Sequence, residues 1–140
     1  MKMPAAVFLC LSLPLAWPTE AGAEEPVDTA RSIIQNQIAA FLNDDAKTAY
    51  SFASPAIRER FPNEAVFFEM VRRGYAPVYR PGNFAFGRSK VDGGTVVQEV
   101  LISGPDGKDW TALYQLLQQP DGSYKINGVH MVRAAPGPEI

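Results

Sequence analysis

Few residues of this chain could do chemistry, and the first to consider is His130, the only histidine among 140 residues. An imidazole with an ordinary pKa near 6.5 is the natural general base at neutral pH. His130 lies in an apolar, β-branched segment that reads as the last strand. Strict alternation puts Ile126, Gly128, His130 and Val132 on one face, and Asn127, Val129, Met131 and Arg133 on the other. If the first face lines a cavity, His130 is a candidate acid/base. It would need Asp44, Asp45, Glu99 or Tyr114 to orient it. The competing reading is a half-buried histidine with a satisfied hydrogen bond and no chemistry. One histidine, without HxH or HxxxH spacing, argues against a metal site.

A second constellation is Tyr75, Tyr79 and Arg80, stiffened by Pro77 and Pro81, whose rings fix the backbone. Aromatic rings supply apolar area, and a guanidinium pairs with a carboxylate or phosphate. The cluster could therefore form the mouth of a ligand pocket, with Tyr114 and His130 as further contacts. The alternative is that the tyrosines fill a helix–sheet seam and Arg80 is solvated. Asp44-Asp45 could suggest paired carboxylates for acid/base work, but aspartates at a helix junction cap the next helix and offset its dipole. Arg58, Arg60, Arg72 and Arg73 read as solvated helix faces. Ser51 and Ser54 lack a histidine at helical spacing and the glycines of a nucleophile elbow. No glycine-rich phosphate loop occurs, and no cofactor is expected.

These residues need elements to position them. Ile34, Ile38, Phe41 and Leu42 recur at helical spacing and predict an amphipathic helix from about Asp28, with Asp28 or Thr29 as N-cap. A short helix follows from Ala46 to Phe52. Ser54-Pro55 predicts an N-cap and first turn, and Asn63 caps a further helix whose face is Val66, Phe67, Met70 and Val71. Gly74 is a natural helix end. Tyr75 to Gly82 reads as extended and proline-punctuated. Beyond it come alternating, β-branched segments separated by Asp92-Gly93-Gly94, Pro105-Asp106-Gly107 and Pro120-Asp121-Gly122. That is the pattern of an antiparallel meander. Helices first and strands second predict an α+β fold, with N-terminal helices covering one face of a curved antiparallel sheet.

The ends bound where this fold operates. Lys2, the apolar run Ala5 to Trp17 and the small residues Ala21-Gly22-Ala23 form a secretory pattern. Residues 1–23 are expected to be a cleaved signal peptide, 24–133 a single domain, and 134–140 a flexible tail. The expected location is the periplasm, or outright secretion. Leu9 before Cys10, and the place of Cys10 within the apolar run, argue against a lipid anchor. Cleavage removes the only cysteine, so no disulfide would hold the mature chain. Its length of about 117 residues suits one core. A net charge of −2 without a basic run argues against nucleic acid and anionic membranes as partners.

Three blocks carry a family resemblance: Ile38-x-x-Phe41-Leu42-x-Asp44-Asp45-x-x-x-Ala49-Tyr50-Ser51-Phe52-Ala53-Ser54-Pro55, Met70-Val71-x-x-Gly74-Tyr75-x-Pro77-Val78-Tyr79-Arg80-Pro81, and Tyr124-x-Ile126-Asn127-Gly128-Val129. They resemble the bacterial family called domain of unknown function 4864. The layout is also similar to the wider nuclear-transport-factor-2-like (cystatin-like α+β) superfamily. That resemblance implies helices on a bent sheet forming a cone with a pocket, and a sheet face open to a homodimer. Isomerase-type members of the superfamily carry a basic aspartate on an early strand. Here Ser54 to Phe61 reads as helical and offers no equivalent, which counts against such catalysis. The expectation is an exported domain that binds a small amphipathic ligand, or a protein partner, without catalysis. The alternative is an enzyme using His130 as acid/base in the cone.

Overall fold

A computed structural model describes residues 24–134; the expected signal peptide and all of the expected tail except Ala134 lie outside the described residues. Five helices precede four strands: α1 Glu24–Leu42, α2 Ala46–Ser51, α3 Pro55–Arg60, α4 Glu64–Gly74, α5 Ala76–Tyr79, β1 Asn83–Asp92, β2 Thr95–Ser103, β3 Asp109–Gln118 and β4 Tyr124–Arg133. The strands form one antiparallel meander in the order β1-β2-β3-β4. The fold is α+β, with helices on one face of an open sheet.

α1 begins at Glu24, a turn before the expected caps. Pro26 is tolerated there because the first N–H groups of a helix have no intrahelical partner, and acidic residues suit the positive end of the dipole. Ala30, Ile34, Ile38 and Phe41 make its buried stripe; Gln37 is buried among them, and Leu42 faces outward at 47% exposure. The sheet answers with Val96, Val100 and Ile102 from β2, Ala112, Tyr114 and Leu116 from β3, and Ile126 from β4. Each buried Val, Leu, Ile or Phe among them contributes about 1.5–3 kcal/mol by leaving water.

The caps follow the sequence. Asp45 Oδ1 accepts from the Thr48 amide at 3.1 Å, Ser54 Oγ from Ile57 at 3.3 Å, and Asn63 Oδ1 from Val66 at 2.9 Å. Arg58 departs from the expected solvated face. It donates to the carbonyls of Tyr50, Ser51 and Ala53 at 3.2, 3.1 and 3.3 Å and lies over the Tyr50 ring, closing the C-terminal end of α2. Arg72 and Arg73 are exposed and both pair with Glu69.

Two departures reshape the site. Ala76–Tyr79, expected as extended, is a single helical turn in which the amides of Val78 and Tyr79 donate to the Tyr75 carbonyl. Pro77 sits where no N–H is required, so its fixed φ favours the turn. In β4, Gln115 pairs with Gly128 and Leu116 with Ile126, leaving Asn127 as an extra residue. Such a bulge reverses the alternation beyond it. Val129 and Met131 therefore join Ile126 toward the helices, while His130 stands opposite Leu113 on the outer face.

Candidate functional site

The cavity of interest, about 230 Å³, lies between the helices and the start of β4. Phe41 of α1, Ala53, Phe67 and Val71 of α4, Val78 of α5, and Ile126 and Val129 of β4 supply its apolar walls. Polar groups enter from Gln37, Arg60, Tyr75 and Asn127. Among the described residues, Arg60 is the lone charged side chain of the lining, and no Asp, Glu, Lys or His borders the cavity.

The local sequence positions each group. Gln37 follows Ile34 by three residues and so lies on the core stripe of α1. It is only 3% exposed. Its Nε2 donates to the Ala49 carbonyl at 3.2 Å, and its Oε1 receives no donor from any described residue. Asn127 is held by the bulge. Its Oδ1 accepts from Ser54 Oγ at 2.9 Å, and its Nδ2 donates to Gln115 Oε1 at 3.1 Å. The stretch around Ala53 runs parallel to β4, with Ser54 donating to the Ile126 carbonyl and Ile126 to the Phe52 carbonyl, both at 2.8 Å. That bridge fixes the α2–α3 junction against the cavity wall. Arg60 ends α3, is exposed, and places its guanidinium 5.6 Å from the ring centre of Phe61 at the rim.

The residues singled out from sequence do not gather in this cavity. Tyr75 borders it. Tyr79 packs edge-on against Phe68, with ring centres 5.3 Å apart, and also touches Phe41, so it fills the helical seam. Arg80 is not at a pocket mouth. It donates to the Phe41 carbonyl and to Asp44, and lies over the Tyr79 ring. Tyr79 donates its hydroxyl to Asp44 at 3.0 Å. The Arg80 guanidinium, with the Tyr79 hydroxyl, holds the Asp44 carboxyl below the usual carboxylate range. Asp44 is therefore no helix cap: it takes a left-handed φ of 53° at the α1–α2 junction and anchors α5.

Tyr114 is fully buried on the core side of β3, does not border the cavity, and has a hydroxyl with no hydrogen-bond partner among the described residues. Burial pushes its phenol well above the ordinary value of 10.0. His130 is exposed on the opposite side of the sheet from the cavity. Glu99, named as a partner for it, is committed to Arg88 at 2.9 Å, which lowers its carboxyl. The enzyme expectation thus loses its base from the pocket, because the bulge at Asn127 turns His130 outward. Among the described residues, no group of three or more His, Cys, Asp or Glu could hold a metal ion.

Gln37, Arg60 and Asn127 were not marked by sequence reasoning. A signal existed for Gln37, a polar residue inside an apolar helical stripe. For Asn127 it was the Asn-Gly pair, which marks irregular backbone within a strand. Arg60 carried none.

The helices over an open antiparallel sheet define an α+β protein. A crystal structure of an NTF2-like protein of unknown function from Shewanella baltica OS155 is similar, with a TM-score of 0.56 at 10% identity. The match covers 81% of this chain and 98% of that one. The sequence profile of the family described as "Domain of unknown function (DUF4864)" matches residues 23–139, and the chain belongs to that family. No curated protein matches it significantly.

Proposed function

We propose that this protein binds a small amphipathic molecule, without catalysis, in the cavity between α1, α3, α4, α5 and β4. The observation that carries the reading is Gln37: an almost fully buried residue on largely apolar cavity walls, with an unused acceptor oxygen. A pocket with apolar walls and a few placed polar groups is the usual form of a small-molecule site. The volume supports one ring-sized body, since a 150 Å³ apolar cavity is enough for benzene. The absence of a carboxylate or imidazole from the lining supports binding over acid/base chemistry. The secretory pattern at Lys2 to Ala23 supports action outside the cytoplasm.

Native mass spectrometry of the chain from the exported fraction tests this. The expected result is a reproducible added mass that disappears in Met70→Trp, which fills the cavity from α4. A bare mass, together with no binding of ring-sized probes, overturns the reading.

A second reading places a second copy of the chain on the outer sheet face. It is favoured by the exposure of Leu101 at 48% and Val132 at 42%, which adjoin Thr111 across β3. Sedimentation equilibrium checks it: a dimer that dissociates in Leu101→Lys is the expected outcome, and a monomer at high concentration removes it.

A further inference from the structure

We infer that the ligand of this cavity is a small monocarboxylate, ring-sized, with a hydrogen-bond donor on the end away from the carboxylate. The inference rests on the binding role proposed above and adds the chemical class.

Three observations carry it. The first is the charge of the lining. Arg60 is its single charge, and no acidic side chain borders the cavity to neutralise it. A cationic ligand would be repelled by Arg60 and would find no carboxylate to pair with. The second is that Arg60 is uncommitted. Arg72 and Arg73 pair with Glu69, Arg80 with Asp44 and Arg88 with Glu99. Arg58 serves backbone carbonyls, and Arg31 binds Gln98. Arg60 has no hydrogen-bond or ion-pair partner among the described residues and only rests near Phe61, itself a wall residue. A planar guanidinium offers two parallel N–H groups that match a carboxylate. With one arginine and no lysine at the rim, the site suits a single negative charge better than a phosphate dianion.

The third observation is Gln37. One N–H of its Nε2 donates to the Ala49 carbonyl, which fixes the amide orientation and leaves Oε1 as an acceptor for a ligand donor. A ligand hydroxyl or N–H placed against this oxygen gains a hydrogen bond that an ether or methyl group cannot make to it. The Tyr75 side chain stands at the same cavity and takes part in no hydrogen bond among the described residues. Between these polar points the walls are apolar, and 230 Å³ admits one ring with short substituents.

The test is an NMR titration of the chain beginning at Glu24, which carries every described element, following the amides of Tyr75, Gly128 and Val129. The probes are 4-hydroxybenzoate, its neutral isostere 4-hydroxybenzamide, and 4-methoxybenzoate, which lacks the donor. The expected result is that 4-hydroxybenzoate binds at least tenfold tighter than either. Arg60→Gln should abolish the preference over the amide, chiefly by lowering the affinity for the acid at least tenfold. Equal binding of acid and amide, or a preference that survives Arg60→Gln, overturns the carboxylate assignment and leaves the pocket role standing. Equal binding of the hydroxy and methoxy acids overturns the role of Gln37. If no probe of either charge moves these amides at millimolar concentration, the binding role falls as well.

Discussion

Tyr114 carries the sharpest residue-scale expectation. Its hydroxyl is buried without a partner, and an unsatisfied buried polar group costs about 1–3 kcal/mol. Tyr114→Phe is therefore expected to raise stability by about 1 kcal/mol in urea unfolding. A loss of stability would mean that the hydroxyl has a partner inside the protein. His130 gives the opposite kind of expectation. Exposed on the outer face beside Leu113, it can be removed at little cost. His130→Ala should change stability by less than about 0.5 kcal/mol and leave 4-hydroxybenzoate affinity intact. Loss of binding in that variant would restore His130 to the site.

At the scale of elements, short helices depend on their ends. α2, α3 and α5 are six, six and four residues long, too short to persist in water alone. Ser54 both caps α3 and donates to Asn127 at the bulge. Ser54→Ala should cost about 1–2 kcal/mol in urea unfolding and broaden the amide signals of Asn127 and Gly128. α5 is held by Arg80 and Tyr79 on Asp44, and it supplies Val78 to the cavity wall. Arg80 is thus a positioning residue. Arg80→Ala is expected to lower the urea midpoint and weaken probe binding, with the acid and the amide affected alike. A selective loss of the acid would place Arg80 at the ligand.

For the whole molecule, the testable property is acid sensitivity. Asp44 is lowered first by Arg80, Asp45 by Thr48, Glu99 by Arg88 and Asp121 by Ser123, with Asp44, Asp45 and Asp121 exposed and Glu99 half-buried. Glu69 falls to about 2 beside Arg72. A carboxyl depressed in the folded state contributes stability above its unfolded value, and that contribution disappears as pH falls through the folded value. Stability is therefore expected to be flat above the ordinary values of 3.8 to 4.5 and to decline from there toward about 2. Urea midpoints from pH 7 to 2 measure it. Because Asp44, Asp45 and Asp121 are exposed, salt should shrink their part of the decline.

The α+β order, the hairpin turns, the caps at Asp45, Ser54 and Asn63 and the core stripe of α1 were all legible in the sequence. Each depends on neighbours within about four residues, through helical spacing, side-chain capping or turn geometry. Even there, the Pro77 turn was misread as extended, because a proline is compatible with both conformations and the Tyr75 carbonyl that receives the amides of α5 decides between them. The candidate site was not legible. One extra residue at Asn127 reverses which face of β4 meets the helices, and that register is set by pairing with β3, not by alternation in β4 itself. His130 and the core-facing residues exchanged sides for that reason. Likewise, Arg60 and Arg80 are alike as residue types. Only tertiary packing brings Asp44 to Arg80, 36 positions away, and leaves Arg60 beside a cavity with no acidic wall.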